Sequence, residues 1–143
     1  MAFAPGQFIT AQRLNRLQST TYWAQATGAF SATTETAIAG TSLSITVQTN
    51  GATANFWWSA DFRQATAVST GQAAVRPYWD VNGAPLFAIG RLATVNDQIS
   101  TANSWSTTIP TAGTYTFQLR GTMFTNTTLN IYTSLMVEIK EVV

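Results

Sequence analysis

The 143 residues predict an all-β fold, a sandwich or barrel of short antiparallel strands preceded by one short helix. Three observations carry this. Charged residues make up 9% of the chain, against a usual ~25%, while Thr, Val, Ile and the aromatics, which suit a pleated and half-buried surface, are plentiful. Apolar residues recur with period two from Tyr22 onward. Turn signals divide these alternating runs into about eight or nine strands.

The helix comes first. Pro5-Gly6 is a turn signal, and Thr10 is an N-cap whose hydroxyl can accept an orphan backbone N–H of the first turn. Ile9 at N′ and Leu14 at N4 have the spacing of a hydrophobic staple. The predicted helix runs from Ala11 to about Gln18, with Leu14 and Leu17 on one face. Two turns are too short to be stable alone, so this element must dock on something. The chain therefore divides into a docking segment, residues 1–21, and a β-domain, residues 22–143.

In "SLSITVQT", Leu43, Ile45 and Val47 share one face, and the following "NGA" is a turn. In "NFWWSADF", Phe56, Trp58, Ala60 and Phe62 alternate with Trp57, Ser59, Asp61 and Arg63, so Trp58 belongs to the core and Trp57 faces outward. The stretch "VRPYWDVNGAPLFAIGRL" predicts two strands around an Asn82-Gly83 hairpin turn, with Pro77 at an edge or bulge. Pro110 to Gly113 reads as a turn into a strand whose core face is Tyr115, Phe117 and Leu119. The final run, Leu129 to Val143, predicts one long strand interrupted in pattern at Thr133, with Leu129, Ile131, Leu135, Val137 and Ile139 on its core side. The Ser/Thr/Ala-rich "TGAFSATTETAIAGT" is either a short strand pair or a surface loop with one edge strand. Asn126-Thr127-Thr128 matches a glycosylation sequon and reads as a turn.

Composition limits the chemistry. Net charge is +1 with basic residues scattered singly, which lacks the footprint of a nucleic-acid partner. There is no histidine and no cysteine, so the commonest general base, nucleophile and metal ligands are missing, and no cofactor is implied. No window approaches the ~20 apolar residues of a membrane span, and "MAFAPGQFIT" lacks the pattern of a secretory signal, so the expectation is a protein made in a cytoplasm without Sec export. The carboxylates left are Glu35, Asp61, Asp80, Asp97, Glu138 and Glu141. Asp61 and Asp80 both sit in aromatic strands, as a glycosidase pair would, but a pair of exposed or turn-capping aspartates is the favoured reading. Trp57, Tyr78, Trp79 and Trp105 are candidate ligand-stacking or interface aromatics, since sugar faces, cores and subunit contacts all use such residues.

Two segments resemble known families. "PGQFITAQRLNRLQ" resembles an N-terminal motif, G-Q-x-[IL]-T-A-x-x-L-N, of virion structural proteins of tailed bacteriophages, particularly those of actinobacteria; Gly6, Gln7, Ile9, Thr10, Ala11, Leu14 and Asn15 match it. "TTIPTAGTYTFQLRG" is similar to the strand pair of tumour-necrosis-factor/C1q-like jelly rolls, where a proline turn and Gly-x-Tyr-x-Phe enter a central strand. The resemblances imply a jelly-roll-like sandwich that trimerises and serves an adhesive or reinforcing role on a virion. The chain has no heptads, Gly-X-Y tract or repeat from which a fibre shaft is made. The expectation is therefore a capsid decoration, or cement, protein that binds the major capsid protein and copies of itself through Phe3, Phe8, Ile9, Leu14 and Leu17. The alternative is a minor tail or receptor-binding module that recognises host glycan. An enzyme comes last.

Overall fold

A computed structural model describes residues 18–64 and 71–142, together with Ala11 and Leu14. Among the described residues, eleven strands form two antiparallel sheets that face each other across one core. In chain order they are β1 (Thr20–Gln25), β2 (Thr36–Ala37), β3 (Leu43–Val47), β4 (Ala52–Gln64), β5 (Ala73–Trp79) and β6 (Asn82–Gly83). They continue with β7 (Ala88–Gly90), β8 (Gln98–Ile109), β9 (Gly113–Thr122), β10 (Thr127–Leu129) and β11 (Ser134–Lys140). The expected sandwich is present. The helix expected over residues 11–18 and the anchors Phe3, Phe8, Ile9 and Leu17 lie largely outside the described residues, whereas Leu14 is described and half exposed.

Sheet A runs β1-β11-β4-β8, with β10 continuing the β11 side of β4. In sheet B the central strand β9 has β3 and β2 along one edge and β5 along the other; β6 and β7 line the far edge of β5. Four of the pairings are nested: β5 pairs β7, β4 pairs β8, β3 pairs β9 and β1 pairs β11, each pair enclosing the one named before it. The turn at Gly51 (φ 77) and the Pro110 to Gly113 turn therefore carry the chain between sheets instead of closing hairpins.

Period-two alternation fills the core as predicted. Phe56, Trp58, Ala60 and Phe62 of β4 are buried against Ile45 and Val47 of β3, Phe117 and Leu119 of β9, and Leu135, Val137 and Ile139 of β11. Burying one large side chain of this kind is worth about 1.5–3 kcal/mol, so this layer is the main source of stability. Phe56 is the hinge of the two layers, with ring centroids 5.7 Å from Phe117 and 5.1 Å from Trp105.

Three sequence expectations are corrected. Asn82-Gly83 is strand, paired with Trp79 and Tyr78, and the two-residue loop is Asp80-Val81, with Asp80 at φ 50. The glycine serves a different need, because a Cβ on Gly83 would lie 2.7 Å from Cζ of Tyr78. Pro77 is in the interior strand β5, at the point where its outer neighbour changes from β7 to β6. There its carbonyl accepts from the Ala84 N–H at 2.9 Å, and the Ala84 carbonyl, denied a donor by the proline, accepts from Arg76 Nη1 at 3.2 Å. The long last strand is two strands. Residues 130–133 loop out, Ile131 is exposed, and the buried Thr133 hydroxyl takes the Asp61 N–H at 3.2 Å while Asn130 N–H donates to the Asp61 carbonyl at 2.8 Å. The segment "TGAFSATTETAIAGT" is a loop with one short edge strand, β2, plus a single bridge from Phe30 to Leu129.

Candidate functional site

Because side chains alternate across a strand, each residue buried by sheet A has neighbours on the outer face, and register aligns those neighbours in rows. The middle row runs Trp23, Met136, Trp57, Ser104 across β1, β11, β4 and β8. One row to one side is Gln25, Ser134, Ser59, Ala102; to the other it is Thr21, Glu138, Asn55, Ser106. An apolar row thus lies between two polar rails. Trp23 is 60% exposed and Trp57 40%.

The rails are tied by their own hydrogen bonds. Ser59 and Ser134 hydroxyls are 3.0 Å apart, Asn55 Nδ2 donates to Glu138 at 2.8 Å, and Ser106 Oγ donates to Asn55 Oδ1 at 2.7 Å. Hydrogen bonds from Ser19 and Asn55 hold the Glu138 carboxyl below the usual carboxylate range, and Lys140 Nζ sits 3.4 Å from it. A hollow of about 290 Å³ opens on the Ser59 and Ser134 side of Trp57, bounded by Trp23 and Met136. A second, of about 370 Å³, opens on the other side between Asn55, Ser104, Trp105 and Ser106.

Farther along β4 lies Asp61, 3% exposed. Gln98 Nε2 donates to both its oxygens at 3.0 and 2.9 Å, Ser100 Oγ to Oδ1 at 2.7 Å and Asn130 Nδ2 to Oδ2 at 2.9 Å. Burial pushes this carboxyl up, but the bonds from Ser100, Gln98 and Asn130 outweigh it and hold the group below its ordinary range. Asp61 knits β4, β8 and the 130–133 loop together. Asp80 is elsewhere, after β5 in sheet B, where Oδ1 accepts the Thr116 N–H at 2.8 Å. Thus the two aspartates are built into different sheets, each with its own partners.

On the outer face of sheet B, Arg76 and Arg120 stand directly opposite one another in register and flank Tyr78, each with its guanidinium carbon 4.9 Å from the ring centroid. Glu35 offsets the repulsion, taking Arg76 Nε at 2.7 Å and Nη2 at 2.9 Å and accepting from the Tyr78 hydroxyl at 2.9 Å. Arg76 lowers the Glu35 carboxyl against the opposing effect of burial.

Of the four candidate aromatics, Trp57 alone is exposed. Tyr78 is closed under its arginines, Trp79 packs against the core with its ring edge-on to Tyr115 at 5.5 Å, and Trp105 stacks on Phe56. Trp23 was missed by sequence reasoning. Its signal was the alternation Tyr22, Trp23, Ala24 in a short strand, which gives Trp23 the face opposite to buried Ala24. Among the described residues no group of three or more carboxylate, histidine or cysteine side chains gathers as a metal ligand set would. No protein-family model matches this sequence, and no curated protein matches it.

Proposed function

We propose that this chain is a non-enzymatic virion structural protein of a tailed bacteriophage, a capsid decoration protein that binds and reinforces the head shell as a trimer. The observation that carries this reading is the nested pairing of β5 with β7, β4 with β8, β3 with β9 and β1 with β11. A ribbon of strands folded back on itself in this way is the plan of a jelly roll, the architecture of many capsid and lectin domains. Its central strand β9 carries the Gly113-x-Tyr115-x-Phe117 pattern on which the tumour-necrosis-factor/C1q-like resemblance rests. Thr- and Ser-rich outer faces with few charges suit packing against protein.

The mechanism is burial of apolar surface between subunits. Phe3, Phe8, Ile9, Leu14 and Leu17 contact the major capsid protein or a neighbouring copy, and Leu14 is exposed as such an anchor must be. Deleting residues 1–18 is the test, since β1 begins only at Thr20. The shortened domain is expected to fold and stay soluble while failing to sediment with capsids. Continued capsid binding, or label on intact virions confined to the tail tip, overturns the reading.

The two outward tryptophans of sheet A favour a second reading, a minor tail or receptor-binding module for host-surface carbohydrate.

A further inference from the structure

We infer that the outer face of sheet A is a binding site for a neutral, extended polysaccharide, with Trp23 and Trp57 as its two stacking platforms. This rests on the carbohydrate reading and is independent of whether the protein sits on the head or the tail. Trp23 and Trp57 occupy one row with β11 between their strands, so they are two strand spacings, about 9.6 Å, apart. That span suits two ring faces of one extended sugar chain lying across the strands. Met136 fills the interval with a soft apolar floor.

A pyranose presents C–H groups on its faces and hydroxyls around its rim, so a site for it needs apolar platforms flanked by hydrogen-bonding groups. The two rails supply these. Ser59 and Ser134 stand on one side of the tryptophan row, Asn55 and Ser106 on the other, and the hollows of about 290 and 370 Å³ on either side of Trp57 give the substituents room. Because hydrogen bonds among the rail side chains already orient them, little ordering is left to be done on binding. Charge argues for a neutral ligand. The carboxylates bordering the face are both engaged, Asp61 by Gln98, Ser100 and Asn130, and Glu138 by Asn55 and Lys140. Among the described residues, Lys140, the cation one row beyond Glu138, is itself paired with that carboxylate at 3.4 Å.

The experiment is calorimetric titration of the full chain with cello- and chito-oligosaccharides at millimolar concentration, with light scattering to follow oligomeric state. Wild-type protein is expected to bind at least one series, and Trp23→Ala and Trp57→Ala are each expected to weaken binding about tenfold. Val81→Ser, on the exposed loop after β5, is expected to leave affinity unchanged. Circular dichroism checks that the variants are folded. If wild type binds sugar but both tryptophan variants bind equally well, the site assignment is wrong while the carbohydrate reading stands. If wild type binds neither series, both are overturned. If the tryptophan variants instead dissociate an oligomer that binds no sugar, the face belongs to a second copy of the chain and the inference fails.

Discussion

On sheet B the outward aromatic Tyr78 is closed over, roofed by Arg76 and Arg120 with its hydroxyl on Glu35; on sheet A, Trp23 and Trp57 stand open with Met136 between them. The two faces belong to the same sandwich and use the same residue class. What separates them is whether the chain itself supplies the partner. Tyr78 has its hydrogen bonds and its cations, so that cluster is accounted for by folding. The tryptophan row sits among polar groups already bonded to each other, leaving its apolar surface without an internal reason. Large exposed aromatics of that kind are more informative than buried ones, because folding alone does not require them.

The largest effect expected is at Asp61, whose loss strips Gln98, Ser100 and Asn130 of a shared acceptor. Asp61→Ala should lower the unfolding free energy by about 3 kcal/mol in urea titrations. The native carboxyl sits below its ordinary range, so its contribution is present above the unfolded-state pKa and is lost as pH falls through the depressed native value. The gap between wild type and variant should be full at neutrality and shrink below about pH 4. A pH-independent gap would mean the side chain acts through packing alone. Next is the sheet B cluster. Glu35→Gln should cost about 1 kcal/mol, since the ion pair is partly exposed and an amide keeps some of its bonds. A loss as large as that at Asp61 would erase the distinction drawn between a cage and a surface clamp. Smallest is the tryptophan row. Trp23→Ala, at the more exposed of the two, should shift stability by no more than about 0.5 kcal/mol, and a substantially larger loss would show the row to be structural after all.

Much of the fold was legible because alternation is a local signal. The faces of β3, β4 and β9 could be read from Leu43, Ile45 and Val47, from Phe56 to Phe62, and from Tyr115 to Leu119 without knowing their neighbours. The errors came where a residue answers to something distant in sequence. Gly83 mimicked a turn because the ring of Tyr78 needs its missing Cβ. Ile131 kept the parity of a core residue, but the chain loops out there to serve Asp61. The candidate site was half legible for the same reason. Trp57 could be assigned an outward face from its own strand, whereas its partner Trp23 is brought near through β11, more than a hundred residues after β1.

The place of β11 has a consequence for how the protein can be made. It lies between β1 and β4, so β1 has no partner in sheet A, and β4 has only β8 and β10, until Ser134–Lys140 has left the ribosome. Sheet B has no such dependence, since β3, β5, β7 and β9 all precede that point. Sheet A is therefore completed by β11, and a chain halted before Ser134 would leave Trp58 and Phe56 without Leu135 and Val137 beside them. Closing such distant partners is slow. The interval in which that apolar layer waits is when this protein is most exposed to aggregation.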